Sequence, residues 1–130
     1  MPKKILLVDD EPDLLFMVSH GLEKRGYEVV CGRDGHEALA LAPKLTPDLI
    51  ILDVHLPVMD GNEVALILKK DEKLKHVPIF LVSSVIEGLS EKSAACGADA
   101  YLTKPFEFTD LTALLEKHCG PGQPPPAPNS

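Results

Sequence analysis

Asp9 and Asp10 follow the apolar run Ile5-Leu6-Leu7-Val8, Asp53 closes a second run, Leu49-Ile50-Ile51-Leu52, and Lys104-Pro105 follows a weaker third at Tyr101-Leu102. Three carboxylates and one ammonium therefore stand at the ends of apolar runs. Taken singly, each has a bland reading. Acidic pairs precede helices for dipole reasons, a carboxylate after a strand can belong to a loop, and a lysine before proline can lie on the surface. Their joint placement favours a shared site. Unalternating aliphatic runs suit strands buried on both faces of a parallel sheet, and in open α/β sheets ligands bind beyond the carboxyl ends of the strands. Converging carboxylates repel one another, so such a site needs a cation, a raised pKa or both. A hard divalent ion such as Mg²⁺, shared between carboxylates and a phosphate, meets that need.

The elements that must position these residues alternate regularly. Pro12 is tolerated in the first turn of a helix, and Leu15, Val18 and Leu22 follow at helical spacing until Gly26. Tyr27 to Cys31 reads as a second strand, and Asp34 with Glu37 as a capping box for a second helix. Pro43 should end or kink that helix early, because it lacks an N–H and crowds the preceding turn. A third strand spans Asp48 to Asp53, and a loop through Pro57 and Gly61 leads to a helix from Asn62 to Lys70. Val77 to Ser83 is a fourth strand, Glu91 to Cys96 a helix closed by Gly97, Ala98 to Thr103 a fifth strand, and Glu107 to His118 the last helix. This alternation predicts parallel βαβ units with right-handed crossovers.

Composition narrows the class. A chain of 130 residues, 45% of them hydrophobic, holds one domain with a real core. The net charge of −7 argues against a nucleic-acid surface on this segment. Cys31, Cys96 and Cys119 form no CxxC pair and leave one partner over in any disulfide scheme, so they read as reduced residues of a cytoplasmic protein. The four apolar residues after Lys4 are too few for a signal peptide, and no run has membrane-spanning length. From Gly120 the sequence turns to Pro-Gly-Gln-Pro-Pro-Pro-Ala-Pro-Asn-Ser. Residues 120–130 are therefore expected to be an extended, disordered tail, read as a linker to a further domain in preference to a bare terminus.

Five motifs together carry a resemblance: Leu7-Val8-Asp9-Asp10-Glu11, Ile51-Leu52-Asp53-Val54-His55-Leu56-Pro57-Val58-Met59-Asp60-Gly61, Val82-Ser83-Ser84, Gly97-Ala98-Asp99-Ala100-Tyr101 and Lys104-Pro105-Phe106. Residues 1–119 are the expected domain, and from Lys3 to Cys119 the chain resembles the receiver, or CheY-like, domain of bacterial two-component response regulators. The resemblance implies a flavodoxin-like (βα)5 fold, a doubly wound five-stranded parallel sheet of order 2-1-3-4-5. It implies that Asp53 accepts a phosphoryl group from a sensor histidine kinase or phosphotransfer protein. Asp10 and Asp53 would bind Mg²⁺ directly, Asp9 through water, and His55 through its backbone carbonyl. Lys104 would pair with a phosphoryl oxygen, Ser83 would hydrogen-bond the phosphate, and Tyr101 would turn inward as Ser83 moves. The surface of the fourth helix, fifth strand and fifth helix would then control an output domain or effector, with no external substrate turned over.

The resemblance also implies a cis Lys104–Pro105 bond. Val85, two residues past Ser83, cannot orient an attacking water, which implies a moderately long-lived phosphoryl group. The remaining histidines, His20, His36, His76 and His118, have no ligand spacing and read as surface residues. Lys69, Lys70, Lys73 and Lys75 alternate with Asp71 and Glu72 as a solvated face. Two other protein classes fit less well. A haloacid dehalogenase-type hydrolase needs a second acid where His55 stands. A flavodoxin needs a Ser/Thr/Gly phosphate loop where Asp-Asp-Glu-Pro stands. A pseudo-receiver usually lacks one of the acids or the lysine, all of which are retained.

Overall fold

Every residue of Leu49–Asp53 and of Ile79–Ser83 is buried, which is the mark of strands covered on both faces. In the computed structural model, which describes residues 3–119, these are β3 and β4 of one parallel sheet. Lys4–Val8 forms β1, Glu28–Gly32 forms β2 and Ala100–Thr103 forms β5, and the spatial order is β2-β1-β3-β4-β5. Five helices alternate with them: α1 (Pro12–Lys24), α2 (Gly35–Leu45), α3 (Gly61–Lys69), α4 (Leu89–Cys96) and α5 (Phe108–Cys119). This is the flavodoxin-like doubly wound fold expected from the sequence. Residues 120–130, where the Pro-rich tail falls, lie outside the described residues.

Side chains alternate across each strand, so the sheet divides the core in two. On one side Leu6, Val8, Ile50, Leu52, Ile79 and Leu81 meet apolar residues of α2, α3 and α4. On the other Ile5, Leu7, Leu49, Ile51, Phe80 and Val82 meet α1 and α5. Burying one Leu or Ile side chain contributes roughly 1.5–3 kcal/mol, so both layers act as rigid platforms for the loops at the strand ends.

Several local expectations shift by a few residues. Helix α2 opens as a capped helix: the Glu37 N–H donates to Asp34 Oδ1 at 2.8 Å, and the Glu37 carboxylate accepts from the Arg33 N–H at 2.7 Å. It does not stop at Pro43, as its sequence suggests, but continues to Leu45. Pro43 is exposed, so water can serve the carbonyl one turn back that loses its N–H partner. The fourth and fifth strands begin later than expected. Asp99 ties their approach segments together, donating its N–H to the Ile79 carbonyl at 2.8 Å and accepting the Ile79 N–H on Oδ2 at 2.9 Å.

Lys69 departs from the solvated face assigned to its cluster. Its ammonium donates to Asp99 Oδ2 at 3.0 Å and to the Val77 carbonyl at 2.8 Å, with the side chain only 17% exposed. It binds the end of α3 to the segments entering β4 and β5.

Candidate functional site

The strand register decides which residues meet. Val8 pairs with Leu52, so β1 and β3 end side by side, and Asp9 and Asp53 emerge as neighbours. Ser83 pairs with Thr103, and the Lys104 N–H donates to the Ser83 carbonyl at 2.8 Å, which aims the lysine across the same edge. Asp9 and Asp53 are buried, whereas Asp10 is exposed at the rim.

One ammonium holds the centre. Lys104 Nζ donates to Glu11 Oε1 at 2.7 Å, to Asp9 Oδ2 at 2.9 Å and to Asp53 Oδ2 at 3.1 Å. The opposite oxygens of the two buried acids are held by backbone. Asp9 Oδ1 accepts the Glu11 N–H at 2.9 Å and Asp53 Oδ1 accepts the His55 N–H at 3.1 Å. Each carboxylate is thus fixed in orientation by two donors of different kinds.

The electrostatics are strained in one direction. Burial pushes the Asp9 carboxyl above its ordinary value, against the opposing hydrogen bonds from Lys104 and the Glu11 N–H, and the nearby Asp53 charge adds to the rise. Burial alone would lower Lys104, but its hydrogen bonds to Asp9, Glu11 and Asp53 outweigh it and hold the ammonium above the usual lysine range. Three carboxylates contact this one cation, and the exposed Asp10 stands beside two of them.

Asp9, Asp10 and Asp53 each offer a carboxylate oxygen within 4.8 Å of the others. Close, hard oxygen donors with excess negative charge suit Mg²⁺ or a similar ion. Beside them lies a cleft of about 590 Å³, whose lining includes Asp10, Asp53, His55 and Lys104 together with Met17 and Phe106. A small anionic group has room to reach Asp53.

The family profile described as the response regulator receiver domain matches residues 5–116. The chain belongs to this family. The match takes in every site residue named so far. Among relatives, the transcriptional regulatory protein PhoP of Bacillus subtilis, named for alkaline phosphatase synthesis, is 40% identical over 117 residues. That alignment covers 89% of this chain and 48% of PhoP, so the chain spans about half the length of such relatives. The polar-differentiation response regulator DivK of Brucella anthropi is 34% identical over 92% of this chain and 98% of DivK. Among solved structures, the receiver domain of the sensor histidine kinase PA1611 of Pseudomonas aeruginosa superposes with a TM-score of 0.85 at 30% identity, covering 92% of this chain and 99% of that one. That structure has a magnesium ion coordinated in its active-site cleft.

The remaining residues singled out by the resemblance have a defined arrangement. Ser83 is buried, and its Oγ accepts the Val85 N–H at 3.0 Å. Tyr101, on β5, is 44% exposed and so points outward. The Lys104–Pro105 bond is cis, as the resemblance implied. The His55 ring is exposed at the rim. His118 departs from its surface reading, for it is half-buried and its ring lies edge-on to Phe80 at 5.3 Å.

Two further residues shape this edge without having been assigned a role from sequence. Gly61 donates its N–H to the Val54 carbonyl at 2.8 Å, and a Cβ there would collide with the Asp53 carbonyl oxygen. Its signal in the sequence was only that of a turn residue. Glu11 reaches Lys104 across 93 residues of chain, a contact that no local pattern announces.

Proposed function

We propose that Asp53 is the phosphoacceptor of a signalling relay and that it takes its phosphoryl group from a phosphohistidine on a sensor histidine kinase or phosphotransfer protein. The observation that carries this reading is the buried Asp53 carboxylate, held by the His55 N–H on one oxygen and by Lys104 on the other. A carboxylate so fixed is a nucleophile presented to the cleft.

In the transfer, an Asp53 oxygen lone pair forms the new O–P bond. The P–N bond to the donor imidazole breaks, its electron pair stays on nitrogen, and that nitrogen takes a proton from solvent. Lys104, already 3.1 Å from Asp53, needs only a small movement to pair with a phosphoryl oxygen. Asp9, Asp10, Asp53 and the His55 carbonyl are the groups that would hold Mg²⁺, with Asp9 acting through water. The ion would offset charge on the phosphoryl oxygens.

The phosphoryl group adds roughly −1.5 to −2 charge and three acceptor oxygens at the strand edge. It favours a second state only through contacts better made there. Ser83 Oγ, now occupied by the Val85 N–H, is the donor available from β4, and inward rotation of the exposed Tyr101 follows its movement. The surface of α4, β5 and α5 then meets an output domain or effector in the cytoplasm.

Incubating the protein with a phosphorylated histidine phosphotransfer domain and following label on Asp53 tests this reading. Label should appear on wild type and be absent from Asp53→Asn. Equal labelling of both proteins would overturn it.

A further inference from the structure

Lys104 carries three N–H donors, and all three are taken: by Asp9, by Glu11 and by Asp53. A phosphoryl oxygen that is to pair with this ammonium must displace one of them. The three partners are not equivalent. The Asp9 and Asp53 side chains are 3% and 6% exposed, so losing the ammonium leaves a buried charge short of a partner. The Glu11 side chain is 59% exposed, and water replaces the lysine there at little cost.

Glu11 also makes the shortest of the three contacts, 2.7 Å. Its backbone is fixed independently, since its N–H donates to Asp9 Oδ1 and its carbonyl accepts the Leu15 N–H at 3.0 Å. Release of the side chain therefore requires no movement of α1. We infer that Glu11 is a positioning residue that parks the Lys104 ammonium between Asp9 and Asp53 and competes with the incoming phosphoryl group for it. This rests on Asp53 being the phosphoacceptor. Glu11 touches no reacting atom; it sets how readily Lys104 is surrendered.

The test is the initial rate of adduct formation from acetyl phosphate with Mg²⁺, read by intact mass. It is run on wild type, Glu11→Gln, Lys104→Met and the double variant. Asp13→Asn, which removes another acid of the first turn of α1, reports general charge loss. Glu11→Gln is expected to speed the reaction about threefold, the size expected for one exposed ion pair. The same substitution in the Lys104→Met background should change the rate by a factor of about one, and Asp13→Asn should leave wild-type behaviour unchanged.

An equal acceleration in both lysine backgrounds, or one matched by Asp13→Asn, would assign the effect to charge acting through space and overturn the inference. So would a Glu11→Gln protein no faster than wild type. Those results leave Asp53 as acceptor. No adduct on wild type would remove the acceptor reading and this inference together.

Discussion

Gly61 sits directly against the Asp53 carbonyl oxygen, with no space for even a methyl group between them. The first residue of α3 thus braces the backbone of the carboxylate on which the site depends. Gly61→Ala should cost about 2 kcal/mol, as overpacking of a rigid contact does, and should slow phosphorylation by shifting Asp53. Urea denaturation together with the rate of adduct formation checks both effects. Unchanged stability would show that the loop yields freely.

Val58 carries φ of 75° in the same loop, and the Met59 N–H donates to the Pro57 carbonyl at 2.8 Å across it. A β-branched residue is strained in the left-handed region, and its 72% exposed side chain recovers little in packing. Val58→Gly should therefore stabilise the fold by about 1 kcal/mol after the entropy cost of glycine. A lower unfolding midpoint in the variant would contradict this.

Asp9 makes the site pH-dependent. Burial raises its carboxyl in the folded protein, so the fold binds that proton more readily than the unfolded chain. Its contribution to stability is fully present below the ordinary value of 3.8 and is lost as pH rises through the higher folded value. Without Mg²⁺, Asp9→Asn should gain stability relative to wild type as pH climbs from acid toward neutrality. Saturating Mg²⁺ should stabilise wild type and do so less for the variant. Urea midpoints across that range, with and without Mg²⁺, measure both. A stability difference that does not vary with pH would exclude Asp9 as the titrating group.

Lys69 offers a contrast, since it clamps segments outside the strand edge that bears the acids. Lys69→Met keeps the alkyl stem but removes the donors to Asp99 and the Val77 carbonyl. The cost should be about 1 kcal/mol, allowing for the partial exposure of Asp99, with phosphorylation unchanged. A large loss of phosphorylation at full stability would mean that the clamp reaches the site.

Val85 is half exposed beside Ser83 and has no group with which to orient a water. Val85→Glu should shorten the lifetime of the phosphoryl adduct. Loss of phosphate from wild type as fast as from the variant would refute the expectation of a long-lived state.

The parts of this site that were legible in the sequence are those that interrupt a pattern. Asp9, Asp53 and Lys104 each follow an apolar run, and strand order alone then brings them together. Ser83 and Tyr101 needed the family motifs, because a serine at a strand end and an aromatic in a short strand are commonplace. Glu11 and Gly61 could not be assigned roles, and Lys69, outside the site, was read as solvated, since each acts through a contact made only when distant segments fold together. Pro43 shows the reverse: a strong local rule gave way because the proline lies on the solvent side of α2.

The relay proposed here depends on Asp53 being the acceptor in a metal-assisted reaction. The most direct test is intact-mass analysis after incubation with acetyl phosphate, with and without Mg²⁺, on wild type and Asp53→Ala. Expected is a single phosphoryl adduct on wild type, dependent on Mg²⁺ and absent from Asp53→Ala. An adduct that persists in Asp53→Ala, or no adduct on wild type under either condition, would contradict it.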